Sequence, residues 1–90
     1  MSIRVVIAET FQSATGGVGS LEVEGKTVSQ CLGQAAQALP GLQKLWFKSE
    51  NILADYILVL VNGENTSQNN FSRSVQDGDE IFPMVIIGGG

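Results

Sequence analysis

The sequence has 90 residues, 43% of them apolar and 16% charged, which suits one folded domain and leaves no room for a second. Nine acidic residues against five basic ones give a net charge of −4, which repels nucleic-acid phosphate and anionic lipid, so neither nucleic acid nor a membrane is an expected partner. A single cysteine, Cys31, and no histidine exclude an internal disulfide, a zinc site of the usual ligands, and Ser-His or Cys-His nucleophile pairs.

Ile3-Arg4-Val5-Val6-Ile7-Ala8 is β-branched and bounded by polar residues, which predicts a first strand. A polar stretch follows, and Thr15-Gly16-Gly17-Val18-Gly19-Ser20 reads as a flexible hairpin connection. It leads to Leu21-Glu22-Val23-Glu24, where apolar and acidic residues alternate as in a strand with one wet face. After the Gly25-Lys26 turn, Thr27-Val28-Ser29-Gln30 matches a capping box. The Thr27 hydroxyl is placed to accept from the Gln30 amide and the Gln30 side chain to reach back, a cap worth about 1 kcal/mol. Val28, Cys31, Leu32, Ala35, Ala36 and Leu39 then form one apolar helical stripe, which Pro40-Gly41 terminates. Leu42, Leu45 and Trp46 suggest a further short turn of helix or an irregular packed segment before Ser49-Glu50-Asn51 breaks it.

Tyr56-Ile57-Leu58-Val59-Leu60-Val61 is the most apolar strand candidate and is expected to lie centrally in a sheet. Asn62-Gly63 directly after it signals a tight type I′ hairpin. Polar residues from Glu64 to Asn70, with room for one short strand, precede the isolated anchors Phe71 and Val75. Asp77-Gly78-Asp79 then turns into a last strand running from Glu80 to about Ile86. The order predicts an α+β fold, a mixed sheet with one main helix packed across it. Residues 1–87 make up the domain and 88–90 a flexible glycine tail.

Four features bear on chemistry. Ser20 to Thr27 is one residue short of a phosphate-binding P-loop, but Glu22 and Glu24 would oppose phosphate oxygens and the helix cap already accounts for Thr27. Cys31 sits on the apolar stripe, where a cysteine behaves as a small buried hydrophobe. Asp77, Asp79 and Glu80 lack further ligands at calcium-loop spacing and read as an acidic solvated turn that could face a basic partner. The fourth is the end of the sequence, where Pro83-Met84-Val85-Ile86-Ile87 runs into Gly88-Gly89-Gly90. Three glycines add nothing to fold stability. They suit a segment that threads a narrow channel while the apolar residues before it are gripped by a partner; a frayed end is the plain alternative. The longest apolar runs fall far short of the roughly 20 residues of a spanning helix, and Met1-Ser2-Ile3-Arg4 does not open a signal peptide, so a cytoplasmic protein is expected.

With these residues in hand, the sequence resembles the ThiS/MoaD family of sulfur carriers, which share the ubiquitin-like β-grasp fold. The resemblance is carried by Val61-Asn62-Gly63-Glu64, by Asp77-Gly78-Asp79-Glu80-Ile81 and by Gly89-Gly90. It implies that a ubiquitin-activating-type enzyme adenylates the Gly90 carboxylate with ATP and Mg, that a persulfide converts the acyl-adenylate to a thiocarboxylate, and that an acceptor synthase subunit takes the sulfur. The domain would then be a protein co-substrate and not an enzyme, with no cofactor of its own. Gly90 is the expected reactive position, Gly88 and Gly89 the threading residues, and Phe82, Met84 and Ile86 the expected contact with the activating enzyme. Gly88 departs from the family's usual Ser, Thr or Ala. Phe82-Pro83 resembles the molybdopterin branch and Val85-Ile86-Ile87 the thiazole (thiamine) branch. Length, Trp46-Phe47 and the Gly16 to Ser20 loop favour the longer molybdopterin-type or cysteine-synthesis carriers, with molybdenum cofactor biosynthesis placed first. A protein modifier conjugated through Gly90 and a non-covalent β-grasp interaction module are the rival functions.

Overall fold

A computed structural model describes residues 2–49, 52–54, 56–66 and 73–85. The first strand, β1 (Ile3–Val6), buries Ile3 and Val5 and exposes Arg4, the period-two pattern of a strand with one packed face. It pairs antiparallel with β2 (Ser20–Val23), Ile3 opposite Val23 and Val5 opposite Leu21. These two strands form the expected hairpin, but their connection holds a helix, α1 (Glu9–Thr15), where only a polar stretch and flexible glycines were expected. Gly16 adopts a left-handed φ of 73° as the helix C-cap, and the Gly17 N–H donates to the Gln12 carbonyl at 2.8 Å. These glycines end a helix.

The capping box forms as expected at the start of α2 (Val28–Ala38). The Gln30 N–H donates to Thr27 Oγ1 at 3.2 Å, while Gln30 Oε1 accepts from the Lys26 N–H, one residue before the cap, at 2.8 Å. Val28, Cys31, Leu32, Ala35 and Ala36 are all buried, and Leu39, the C-cap, is partly so. Pro40 and Gly41 end α2 but also open a second helix, α3 (Gly41–Trp46). Gly41 is needed there for contact: a Cβ would lie 2.5 Å from the Ala14 carbonyl oxygen of α1. Leu42 and Trp46 are fully buried, and Trp46 meets Phe11 of α1 edge to face, ring centroids 6.0 Å apart. A small separate ribbon follows, β3 (Phe47–Ser49) with β4 (Ile52–Leu53), where Ser49-Glu50-Asn51 was expected only to end the preceding segment.

The main sheet is completed by β5 (Ile57–Val61), β6 (Glu64–Thr66) and β7 (Glu80–Val85), in the order β2-β1-β7-β5-β6. Asn62 and Gly63, with φ of 52° and 84°, join β5 to β6 in the two-residue turn that the Asn-Gly pair foretold. The middle position belongs to β7, parallel to β1 and antiparallel to β5. β5 is interior but one place off centre. The fold is therefore a mixed five-stranded sheet with α2 packed across one face, the β-grasp arrangement, and it carries α1, α3 and the β3–β4 ribbon in addition.

Leu32 points from α2 into this core at 0% exposure. Leu32→Ala is expected to lower unfolding free energy by about 2–5 kcal/mol, read in urea as a lower midpoint at unchanged slope. A loss below about half a kilocalorie would mean that the stripe does not carry the helix–sheet contact.

Candidate functional site

The two faces of the sheet differ. Cross-strand partners share a face, so the pairings Val5↔Ile81, Val61↔Ile81, Val59↔Pro83 and Ile57↔Val85 place the buried residues of β1, β5 and β7 together under α2. The intervening residues, Leu60↔Phe82 and Leu58↔Met84, project from the opposite face. Phe82, Met84, Leu58, Leu60 and Val6 are each half-buried and form an apolar surface on the side of the sheet away from α2, which no helix among the described residues covers. Arg4, Glu22 and Glu80 border one end of it, where Arg4 is cross-strand partner to both acids. Phe82 and Met84, two of the residues expected to contact an activating enzyme, lie on this face, whereas Val6, Leu58 and Leu60 have only the sequence signal of strand residues. They escaped notice because Tyr56 to Val61 is apolar throughout, and a continuous apolar run does not say which of its faces is covered.

Ile86, Gly88, Gly89 and Gly90 lie outside the described residues. So does Phe71, while Val75 is buried at the core's edge.

Two of the three motifs that carry the family resemblance, Val61 to Glu64 and Asp77 to Ile81, meet in space. Asn62 Nδ2 donates to Asp79 Oδ1 at 3.0 Å, and Asn62 Oδ1 accepts from the Glu80 N–H at 2.9 Å. The Asn62 main-chain N–H donates to the Glu80 carbonyl at 2.8 Å. On the other side of the turn, the Gln76 N–H donates to Asp79 Oδ2 at 2.9 Å, and the Ser2 N–H donates to the Asp77 carboxylate. The Asn62 amide, and then the Gln76 N–H, hold the Asp79 carboxyl below its ordinary pKa by favouring the ionised form. These acids therefore tie the turn together.

The remaining candidates are structural. Cys31 is fully buried, and burial followed by the negative charge of Asp79 pushes its thiol pKa up, away from the reactive thiolate. Gly25 lies against it, a Cβ there falling 2.8 Å from Cys31 Sγ. Ser20 to Val23 of the near-miss P-loop is strand β2, and Thr27 is occupied as the α2 cap. Among the described residues, no helix is long and apolar enough to cross a membrane.

Against known proteins, the ThiS family model matches residues 5–90. The chain belongs to the ThiS family. Membership bears out the resemblance read from the three motifs, and with it the general standing of a ubiquitin-like sulfur carrier or modifier. No curated protein matches the sequence. Among solved structures, SAMP1 from Haloferax volcanii is similar over 100% of both chains, with 25% identity and a TM-score of 0.85. A chain of the BexX/CysO complex of Amycolatopsis orientalis matches 98% of this chain over 99% of its own, with 28% identity and a TM-score of 0.82. A chain of the complex of subunits 1 and 2 of molybdopterin-converting factor from Helicobacter pylori 26695 covers 100% of both chains at 16% identity and a TM-score of 0.66, a likeness of fold alone.

Proposed function

We propose that this ThiS-family chain is a sulfur carrier whose Gly90 carboxylate is the reacting group, and that it serves partner enzymes as a co-substrate. The observation that carries the reading is the apolar face of β5 and β7 that no described helix covers, centred on Phe82 and Met84, on the strand whose sequence leads into Gly88-Gly89-Gly90. A carboxylate is a poor electrophile until it bears a good leaving group. An activating enzyme that docks on this face would supply ATP and Mg, form the acyl-adenylate with release of pyrophosphate, and leave an unhindered glycine carbonyl open to a persulfide, which displaces AMP to give an acyl disulfide that a thiol then reduces to the thiocarboxylate. Gly88 and Gly89 would thread to the reaction centre without side-chain clash. The similarity to a chain of the BexX/CysO complex supports a carrier that works docked to a partner protein.

The test is mass spectrometry. Incubated with its activating enzyme, Mg-ATP and a persulfide source, the protein gains the mass difference between oxygen and sulfur, mapped to the terminal carboxyl. Sulfur on Cys31 instead, or an unmodified chain whose presence does not change pyrophosphate release, would overturn the assignment. Of the possible acceptors we keep the molybdopterin synthase subunit first, on Phe82-Pro83 and the Trp46-Phe47 segment. Thiazole-forming and cysteine-forming synthases are the other arms of a transfer assay with the thiocarboxylate.

A second reading, a modifier joined to lysine through Gly90, is favoured by the 25% identity with SAMP1, a small archaeal modifier protein. It predicts a lysine-linked adduct of higher mass in cell extract.

A further inference from the structure

Strand β7 from Ile81 to Val85 is apolar on both faces, so burial alone does not define its pairing with β5. A one-residue slip would turn Phe82 and Met84 into the core and move Pro83, which has no N–H, to a ladder position that needs one. A two-residue slip that brings Pro83 opposite Val61 incurs neither penalty. It keeps Phe82 and Met84 on the open face and proline in a tolerated position, but displaces everything after β7 by about 7 Å along the strand. Support from β1 is short, with two residue pairs and the Arg4 N–H donating to the Asp79 carbonyl at 3.0 Å.

We propose that Asn62 is a positioning residue that locks the register of β7 against β5, and so sets the reach of the terminal glycine from the docked sheet face. Three of its groups grip the start of β7: its N–H and Oδ1 take the two main-chain groups of Glu80, and Nδ2 takes the Asp79 carboxylate. Every one of these contacts is lost or mismatched if β7 moves by two residues. A polar cluster at a hairpin tip thus chooses between registers that apolar packing leaves close in energy. The inference rests on the carrier reading for its consequence, though not for its geometry.

The experiment compares three variants at Asn62, and one remote control, with the wild type. Asn62→Ala removes both side-chain contacts; Asn62→Asp removes the donor and sets two carboxylates face to face. The exchange Asn62→Asp with Asp79→Asn restores them: the new carboxylate accepts from the Glu80 N–H and from the new amide, whose oxygen accepts from the Gln76 N–H. Carboxyl-activation kinetics are expected to give a kcat about tenfold or more lower for each single variant, because reach is altered, with KM close to wild type, because the docking face is kept. The exchanged pair returns kcat to within about twofold. Exchange of the Glu80 amide hydrogen accelerates in Asn62→Ala and recovers in the double variant. Ala36→Gly, destabilising but remote in α2, leaves kcat unchanged, which separates positioning from loss of fold. Wild-type kcat in both single variants, or failure of the double variant to rescue a folded protein, overturns the lock while the carrier reading stands. A wild-type chain that is never activated overturns the carrier reading, and unaltered Glu80 exchange in Asn62→Ala then separately overturns the lock.

Discussion

Deleting Gly90, or adding a single residue after it, is expected to abolish thiocarboxylate formation while leaving the fold unchanged. Each change moves the carboxylate by about 3.3–3.6 Å relative to the docked domain. Adenylation needs the reacting atoms at near-attack separation, and misplacement by an ångström costs about a hundredfold, so a full residue removes measurable turnover. Stability should not move, because glycines at a chain end contribute no packing. Thermal unfolding should therefore coincide with wild type while the oxygen-to-sulfur mass gain disappears. Cys31→Ser is the matched control: the thiol is fully buried in the core, so sulfur loading persists in that variant. Loading that survived the loss of Gly90 would place the chemistry elsewhere in the chain.

Met84→Asp is expected to raise the KM for the activating enzyme by about thirtyfold or more, the equivalent of about 2 kcal/mol, through the charge it puts at the centre of an apolar contact. Met84 faces away from α2 and pairs with Leu58 on the open side of the sheet. Its replacement therefore spares the buried core, and the unfolding midpoint should stay near wild type. Phe82→Asp should behave alike, opposite Leu60. The same substitution at Ile81, fully buried under α2 one residue away, should instead prevent folding. A folded Met84→Asp protein activated at the wild-type KM would move the docking surface off this face. Activation and thiocarboxylate transfer measured separately would show whether the activating enzyme and the acceptor share the surface.

Much of the local structure was legible because its causes lie within a few residues. The Thr27–Gln30 cap, the stripe from Val28 to Leu39 and the Asn62-Gly63 turn each depend on neighbours no more than one or two turns away, and each appears where the residues placed it. Helix α1 was missed because it buries only Phe11 and so has no apolar period to detect; its one local sign was Gly16, which equally suits a loop. Pro40-Gly41 was read as a stop for a similar reason. The close approach of Gly41 to Ala14 joins residues 27 positions apart, and no local pattern carries such a contact.

The sequence by itself determined the class of fold, the main helix and its buried face, the family motifs and the one unusual run into three glycines, since composition, periodicity and turn chemistry are properties of adjacent residues. Only the tertiary structure decided that β7 is the central strand, that Val6, Leu58 and Leu60 join Phe82 and Met84 on the face away from α2, and that Asn62 bonds to the turn at Asp79 and Glu80. Those outcomes depend on which strands pair and in what register. A strand that is apolar at every position is compatible with more than one pairing, until partners from distant parts of the chain select among them.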